Sequence, residues 1–297
     1  MSALALVITA ALLHAAWNIA AKRAGGNRHL PLLSGLFVVA LWLPLAVWFG
    51  LRELATWPAQ AWAMVLASAV VHLLYFQALL KGYRVADLTV VYPVARGSGP
   101  LVSAVGALFV LDEAMTLAGA CGVLAVCGGV FLVAGGPALW HAAARGPSPG
   151  KSPDRQRVLA GLRWGGLTGL LIAAYTVLDG YTVKVLLVSP VLLDYMGNFL
   201  RIPFLLPSAL RDPGGFRQAA RAHWRAALAV GGLGPAAYML VLYAMQGAPL
   251  SHVAPAREVS MLFAALLGGH LLDEGARGWR VAGAACIALG VVALALG

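Results

Sequence analysis

The chain has 297 residues, of which 61% are hydrophobic and only 11% are charged, whereas about a quarter are charged in ordinary soluble domains. This composition excludes a soluble globular protein and indicates an integral membrane protein. The formal net charge of +10 does not indicate nucleic-acid binding, because the basic residues form short clusters between apolar runs, as cytoplasmic loops and anionic headgroups favour.

Apolar runs follow one another from the N-terminus, and several reach the roughly 20 residues that a span needs. They predict an all-α membrane protein with ten transmembrane helices, at residues 3–22, 30–50, 60–80, 88–110, 115–135, 162–183, 189–209, 226–246, 251–271 and 279–297. A segment rich in proline and charge separates the fifth helix from the sixth. Its composition predicts a flexible linker over residues 137–161.

The two halves of the chain repeat one another. The segment Arg96 to Gly129 matches Arg257 to Gly290 at a constant offset of 161, and the earlier parts of the halves match at an offset of 162. Five helices per half is an odd number, so the second half enters the membrane upside down. We therefore predict a first five-helix repeat over residues 1–136 and an inverted second repeat over residues 162–297.

Matching glycines recur seven residues apart on the fifth and tenth helices. They are Gly122 with Gly129 and Gly283 with Gly290. Small residues at this spacing allow helices to approach closely, so we predict that these two helices pack through their glycine faces.

The distribution of lysine and arginine predicts the orientation. One set of loops carries sixteen of them: Lys22, Arg23, Arg28, Lys81, Arg84, Arg145, Lys151, Arg155, Arg157, Arg163, Arg211, Arg217, Arg221, Arg225, Arg277 and Arg280. The opposite set carries only two, Arg52 and Lys184. The positive-inside rule then places the linker in the cytoplasm and both termini outside a cell (inner) membrane.

Charged residues inside the predicted spans are the main candidates for function. An arginine at the bilayer centre costs roughly 2.5–3.5 kcal/mol on insertion scales, and Arg96 and Arg257 occupy equivalent positions in the two repeats. Together they would attract an anion; the alternative is that each pairs with a carboxylate and ties helices together. Further substrate-binding candidates are Tyr92, Arg201, Asn198, Trp17, His14 and Tyr175. Candidates for ion pairing or proton coupling are Glu258, Asp179 and Asp194.

Two of these candidate groups are supported by local patterns. Asp194, Asn198 and Arg201 lie at i, i+4 and i+7, which predicts one inward-facing polar stripe. Pro93 and Pro255 precede the two repeat-related arginines, and proline permits a kink or break. Broken helices at corresponding points of two repeats indicate a midplane binding site.

Motifs for other chemistries are missing from the sequence. We find no P-loop and no HExxH, and no Ser/His/Asp order comes with a GxSxG elbow, so we predict no enzyme activity, no metal and no cofactor. The three cysteines fall inside apolar runs and are interpreted as small buried hydrophobes.

The motifs resemble those of the drug/metabolite transporter superfamily, EamA type. The matching stretches are Val91 to Arg96 with Leu111-Asp112-Glu113, and Val253 to Glu258 with Leu272-Asp273-Glu274. The resemblance implies a secondary carrier, often an exporter of amino acids and other metabolites, with a central cavity. Better-known members are drawn with cytoplasmic termini, which conflicts with the count of basic residues.

We therefore predict a secondary transporter that exports a small polar, anionic or zwitterionic metabolite such as an amino acid and works by alternating access. A flippase of a lipid or lipid-linked headgroup is the alternative, and a membrane enzyme is a weaker one. The predicted partners are a small-molecule substrate, membrane lipids and protons as a coupling ion, without nucleic acid, in a monomer or homodimer.

The orientation gives a first prediction. In a variant whose native cysteines are replaced by alanine, a cysteine introduced as Ser148→Cys should be shielded from impermeant thiol reagents in intact cells and should react after permeabilisation. Ready labelling in intact cells would place the linker outside and reverse the orientation.

Overall fold

A computed structural model describes residues 2–24, 27–86, 88–134, 155–267 and 277–297 of the chain. These residues form eleven α-helices and no strand: α1 (Ala3–Arg23), α2 (Leu30–Glu53), α3 (Ala59–Val85), α4 (Leu88–Val110), α5 (Leu117–Val133), α6 (Arg155–Lys184), α7 (Pro190–Leu210), α8 (Pro213–Gly247), α9 (Leu250–Ala256), α10 (Ser260–Leu267) and α11 (Arg277–Leu296). Short 3₁₀ turns follow α2, at Leu54–Thr56, and α9, at Arg257–Val259. The second Leu-Asp-Glu motif and linker residues 137–154 lie outside the described residues.

Among the described residues, seven helices are long and apolar enough to cross a membrane: α1, α2, α3, α4, α6, α8 and α11. The shorter α5 is also apolar. The protein is therefore an all-α, multi-pass membrane protein. Helix α7 has 21 residues, but its most apolar stretch is less apolar than theirs, because its prolines and its polar stripe lower the mean hydropathy.

Two helices begin earlier than the apolar runs indicate. Helix α6 begins at Arg155, so the last seven residues of the predicted linker are helical. Helix α8 begins at Pro213, thirteen residues before the predicted start, because Asp212 caps it by accepting a hydrogen bond from the Gly215 amide at 3.0 Å. Both corrections have one cause: hydropathy detects the part of a helix that lies in lipid and misses a charged helical extension.

The described residues divide into two compact units. The first unit contains residues up to 70 and residues 178–248. Within it, α8 packs against α1, α2 and α7. Gly231 of α8 lies so close to α2 that an added Cβ would come within 2.8 Å of the Ser34 carbonyl oxygen, and the Trp42 indole donates to the Gly231 carbonyl at 3.1 Å.

The second unit contains residues 71–177 and 249–297. Within it, α5 packs along α11, and the glycine faces meet as predicted. An added Cβ at Gly122 would lie 2.9 Å from the Gly290 carbonyl oxygen, and one at Gly129 would lie 2.6 Å from that of Gly283. Since the residue numbers run in opposite directions, the two helices are antiparallel.

A second glycine contact, which the sequence analysis missed, joins α6 to α4. Gly161, Gly165 and Gly169 recur every four residues on α6. An added Cβ at each would lie within 3.0 Å of the side chain of Val90, Val94 or Ser98 respectively. The signal for this contact is the GxxxGxxxG spacing itself.

The two helices that carry the repeat-related prolines differ. The helix after Pro249 breaks at the 3₁₀ turn Arg257–Val259, two residues after Pro255. Helix α4 is continuous through Pro93 and Pro100, so the expected break at the first of the two repeat positions is wrong. Each proline removes one backbone hydrogen bond from α4, and the helix continues without it.

The glycine contact between α5 and α11 gives a second prediction. Gly129→Ala should lower the free energy of unfolding by ~1–3 kcal/mol, the usual effect of overpacking, because backbone and not a flexible side chain occupies the space. Gly128→Ala is the matched control, since an added Cβ there meets nothing within 4 Å, and it should leave stability unchanged or raise it by up to ~1 kcal/mol. Unfolding in detergent measures both, and equal effects would contradict the contact.

Candidate functional site

Glu258 is the centre of the charged cluster in the second unit. It lies in the 3₁₀ turn that separates α9 from α10, and its side chain is only 2% exposed. Arg257 precedes it in the same turn, and Arg96 comes from α4, against which α9 packs. The interrupted helix therefore brings a carboxylate and two guanidinium groups together.

The distances show two ion pairs to one carboxylate oxygen. Glu258 Oε1 lies 3.5 Å from Arg96 Nη1 and 3.6 Å from Arg257 Nε. Both distances exceed the 2.7–2.9 Å of a charge-assisted hydrogen bond. The other oxygen, Oε2, is buried and accepts no hydrogen bond from any described residue.

Aromatic side chains of the second unit adjoin this cluster. The Arg96 guanidinium lies 5.8 Å from the centre of the Tyr92 ring, and Tyr75 and Tyr175 lie within its electrostatic range. Tyr175 stacks on His72, with ring centres 3.9 Å apart, and meets Tyr75 edge-on at 5.6 Å. The surroundings of Arg96 are thus aromatic with polar tips, as in many small-molecule sites.

Glu113 holds the broken helix in place, a role that the sequence analysis did not assign. Its carboxylate accepts hydrogen bonds from the Leu250 amide at 2.7 Å and from the Ser251 amide and hydroxyl at 2.9 and 2.8 Å. A carboxylate at a helix N-terminus satisfies amides that have no partner within the helix. The first Leu-Asp-Glu motif therefore fixes α9, and with it the turn that carries Glu258.

The polar stripe of α7 belongs to the first unit. The Asn198 amide donates to Asp194 Oδ2 at 3.0 Å and to the Asp194 carbonyl at 2.9 Å. Asp194 is buried, and Arg201 Nε is buried without a hydrogen bond to any described residue. Asn198 and Arg201 are partly buried, and the hydrogen bonds between Asn198 and Asp194 lie within one helix.

The other first-unit candidates form two local pairs. The Tyr238 hydroxyl donates to the buried Asp179 carboxylate, a partner that sequence reasoning did not assign. His14 meets Trp17 edge-on, with ring centres 4.8 Å apart. The structure therefore groups Arg96, Tyr92, Tyr175, Arg257 and Glu258 in one unit. The remaining candidates lie in the other: His14, Trp17, Asp179, Asp194, Asn198 and Arg201.

Comparison with known proteins agrees with this architecture. Residues 159–296 match the EamA-like transporter family. No curated protein matches the chain by sequence. A protein of known crystal structure has a similar fold. Its TM-score with this chain is 0.72 and its sequence identity is 17%, and the alignment covers 99% of this chain and 96% of the other. The match over residues 159–296 supports the resemblance of this protein to the EamA-type transporters of the drug/metabolite transporter superfamily.

Proposed function

We propose that this protein is a secondary transporter that binds an anionic or zwitterionic metabolite at the cluster formed by Arg96, Arg257 and Glu258. The match to a transporter family supports a transporter of some kind. The site residues and the class of solute are our inference. The resemblance to metabolite exporters favours export, with an amino acid as a representative solute.

The charge balance of the cluster carries the proposal. Two guanidinium groups contact the same carboxylate oxygen of Glu258, so basic groups outnumber the acid in this cluster. Such a cluster attracts anions, and a carboxylate or phosphate group of a solute is the kind of anion that guanidinium groups bind. Arginine suits this role because it stays charged and can bind such groups with two parallel hydrogen bonds.

The lengths of the two ion pairs support an exchange of partners. At 3.5 and 3.6 Å from Glu258, neither guanidinium has closed a short hydrogen bond with it. A solute anion can then contact the arginines without first breaking an optimal pair. Arg96 is the more accessible of the two, at 23% exposed against 13% for Arg257, and we propose that it makes the first contact.

Glu258 is the proposed coupling group. A carboxyl group can change its charge during a transport cycle, whereas the arginines remain protonated. In the empty carrier Glu258 balances the arginines, and in the loaded carrier the solute replaces it and the carboxyl group becomes free to take up a proton.

We also propose ten spans in two inverted repeats, with alternating access between them. The antiparallel contact of α5 with α11, which pairs Gly122 with Gly290 and Gly129 with Gly283, supports this arrangement because an inverted repeat reverses the direction of its equivalent helices. The broken helix at Arg257–Val259 supports a binding site at that point.

The arginines give a third prediction. A thermal-shift screen of the purified protein against metabolite pools identifies a solute, and binding is then measured for variants. Arg96→Ala and Arg257→Ala should each weaken binding by at least ~2 kcal/mol, about thirtyfold in Kd, because a charge-assisted contact is lost. Arg52→Ala, which removes an exposed arginine stacked on Trp48, is the matched control and should bind normally.

The same experiment tests the coupling role. In proteoliposomes, Glu258→Gln should still bind the solute but should transport it at the same rate with and without a pH gradient. If both arginine variants transport normally, or fail to fold, the arginines are structural ties and the proposal is wrong.

A further inference from the structure

The N-terminal part of α8 lies outside the hydrocarbon core of the membrane. At 1.5 Å per residue, the 35 residues of α8 extend about 52 Å, against a core of about 30 Å. All charged residues of this helix are arginines of its first thirteen residues: Arg217, Arg221 and Arg225. The excess length is therefore the N-terminal end, which we name the basic segment (residues 213–225).

One face of the basic segment is attached to the protein. Ala219 is buried in a cluster with Leu30 and Leu33 of α2, and Phe216 and Ala220 pack against that cluster. The segment is thus a fixed part of the first unit.

The opposite face carries the basic residues. Arg217, Gln218, Arg221 and Arg225 lie at i, i+1, i+4 and i+8 and are exposed, which places three guanidinium groups along about 12 Å of one helix face. Trp224 beside them is 46% exposed, and the Arg225 guanidinium lies 5.4 Å from its ring centre. Exposed tryptophan with basic neighbours is typical of the membrane–water interface.

Two adjoining depressions lie along this face. One, of about 510 Å³, is lined by Gly214, Arg217, Gln218, Arg221 and Ala222. The other, of about 280 Å³, shares Gln218 and Ala222 with it and also has Arg28, His29, Asp212 and His223 in its wall. Polar groups thus surround a space large enough for a headgroup.

The one acid in the wall of these depressions is already bound by neighbouring groups. Asp212 accepts hydrogen bonds from the Gly215 amide, Arg28 and His29, and these contacts lower its pKa to about 2. Arg28 balances its charge, so no other acid among the described residues that line the depressions faces the three arginines of the basic segment.

A buried histidine forms part of the wall of the smaller depression. The side chain of His29 is only 3% exposed, and its Nε2 lies 3.3 Å from Asp212 Oδ2 and 3.3 Å from Arg28 Nε. Contacts among these three side chains therefore hold the polar wall of the depression in place.

We propose that the basic segment and its two depressions bind the phosphate headgroup of an anionic phospholipid. Three arginines provide the charge, exposed Trp224 lies at the level of the headgroups, and an integral membrane protein meets this ligand permanently. The count of basic loop residues assigns the site to the cytoplasmic leaflet, where juxtamembrane basic residues contribute about 1 kcal/mol each to the attraction of anionic lipids.

The test measures lipid bound to the full-length protein in detergent by native mass spectrometry, with short-chain phosphatidylglycerol and phosphatidylcholine as probes. The protein should prefer phosphatidylglycerol, and Arg217→Gln with Arg221→Gln should weaken that binding about thirtyfold. Arg157→Gln with Arg163→Gln is the matched control, because it removes two exposed arginines of α6 and should leave the preference intact.

Three results would overturn the proposal. Equal losses in the two double variants would mean that net charge alone attracts the lipid. Equal binding of phosphatidylcholine would remove the role of charge, and displacement of the lipid by inorganic phosphate at the same concentration would assign the depressions to a free anion. Since the variants change exposed residues, a normal elution profile and thermal unfolding show that their fold is retained.

Discussion

The ion-paired carboxylate of Glu258 is the interaction on which the account depends. A buried carboxylate is tolerated only where it is paired, and here it has two arginine partners from different parts of the chain. The helix must break to present both Arg257 and Glu258 from one turn, and the break is held by Glu113, whose carboxylate binds the amides at the start of α9. The two ion pairs of Glu258, the 3₁₀ turn that carries it and the Glu113 cap of α9 thus form one arrangement.

Glycine contacts allow the helices of the second unit to carry this arrangement. Lipid gives little driving force for helix association, so close backbone approach has to supply it. At the α5–α11 contact through Gly129 and Gly283, and at the α6–α4 contact through Gly165, a Cβ added to the glycine would come within about 3 Å of neighbouring backbone or side chains. Arg96 is therefore positioned by a helix that is itself closely packed, which is the condition for a preorganised site.

Much of this could be predicted from the sequence because the membrane imposes strong constraints. The length of an apolar run predicts a span, so most described helices lie where hydropathy predicts them, apart from the early starts of α6 and α8 and the break between α9 and α10. The internal repeat identified Arg96 and Arg257 as equivalent residues. The spacing of Gly122 and Gly129 predicted a helix contact that the structure confirms. The pattern also separated Glu258 from the many exposed charges, because it is the acid next to a repeat-related arginine.

Other features depend on contacts that one-dimensional patterns do not contain. Helix α8 extends to Pro213 because Asp212 caps it, which hydropathy cannot detect. Helix α4 continues through Pro93 although proline removes one of its backbone hydrogen bonds, and the sequence does not indicate which prolines interrupt a helix. The pairing of Tyr238 with Asp179 joins residues 59 positions apart, and neither residue has a spacing that indicates the other. Sequence alone therefore identified the charged residues better than their partners.

A double-mutant cycle between Arg96→Gln and Glu258→Gln tests the central claim most directly, with the free energy of unfolding of the solute-free protein as the readout. If Glu258 balances Arg96 in the empty carrier, each single change leaves a buried charge with less compensation. The double variant should then be more stable than the sum of the single effects predicts, by at least ~1 kcal/mol. Effects that add within ~0.5 kcal/mol would show that the two groups do not depend on each other and would contradict the account.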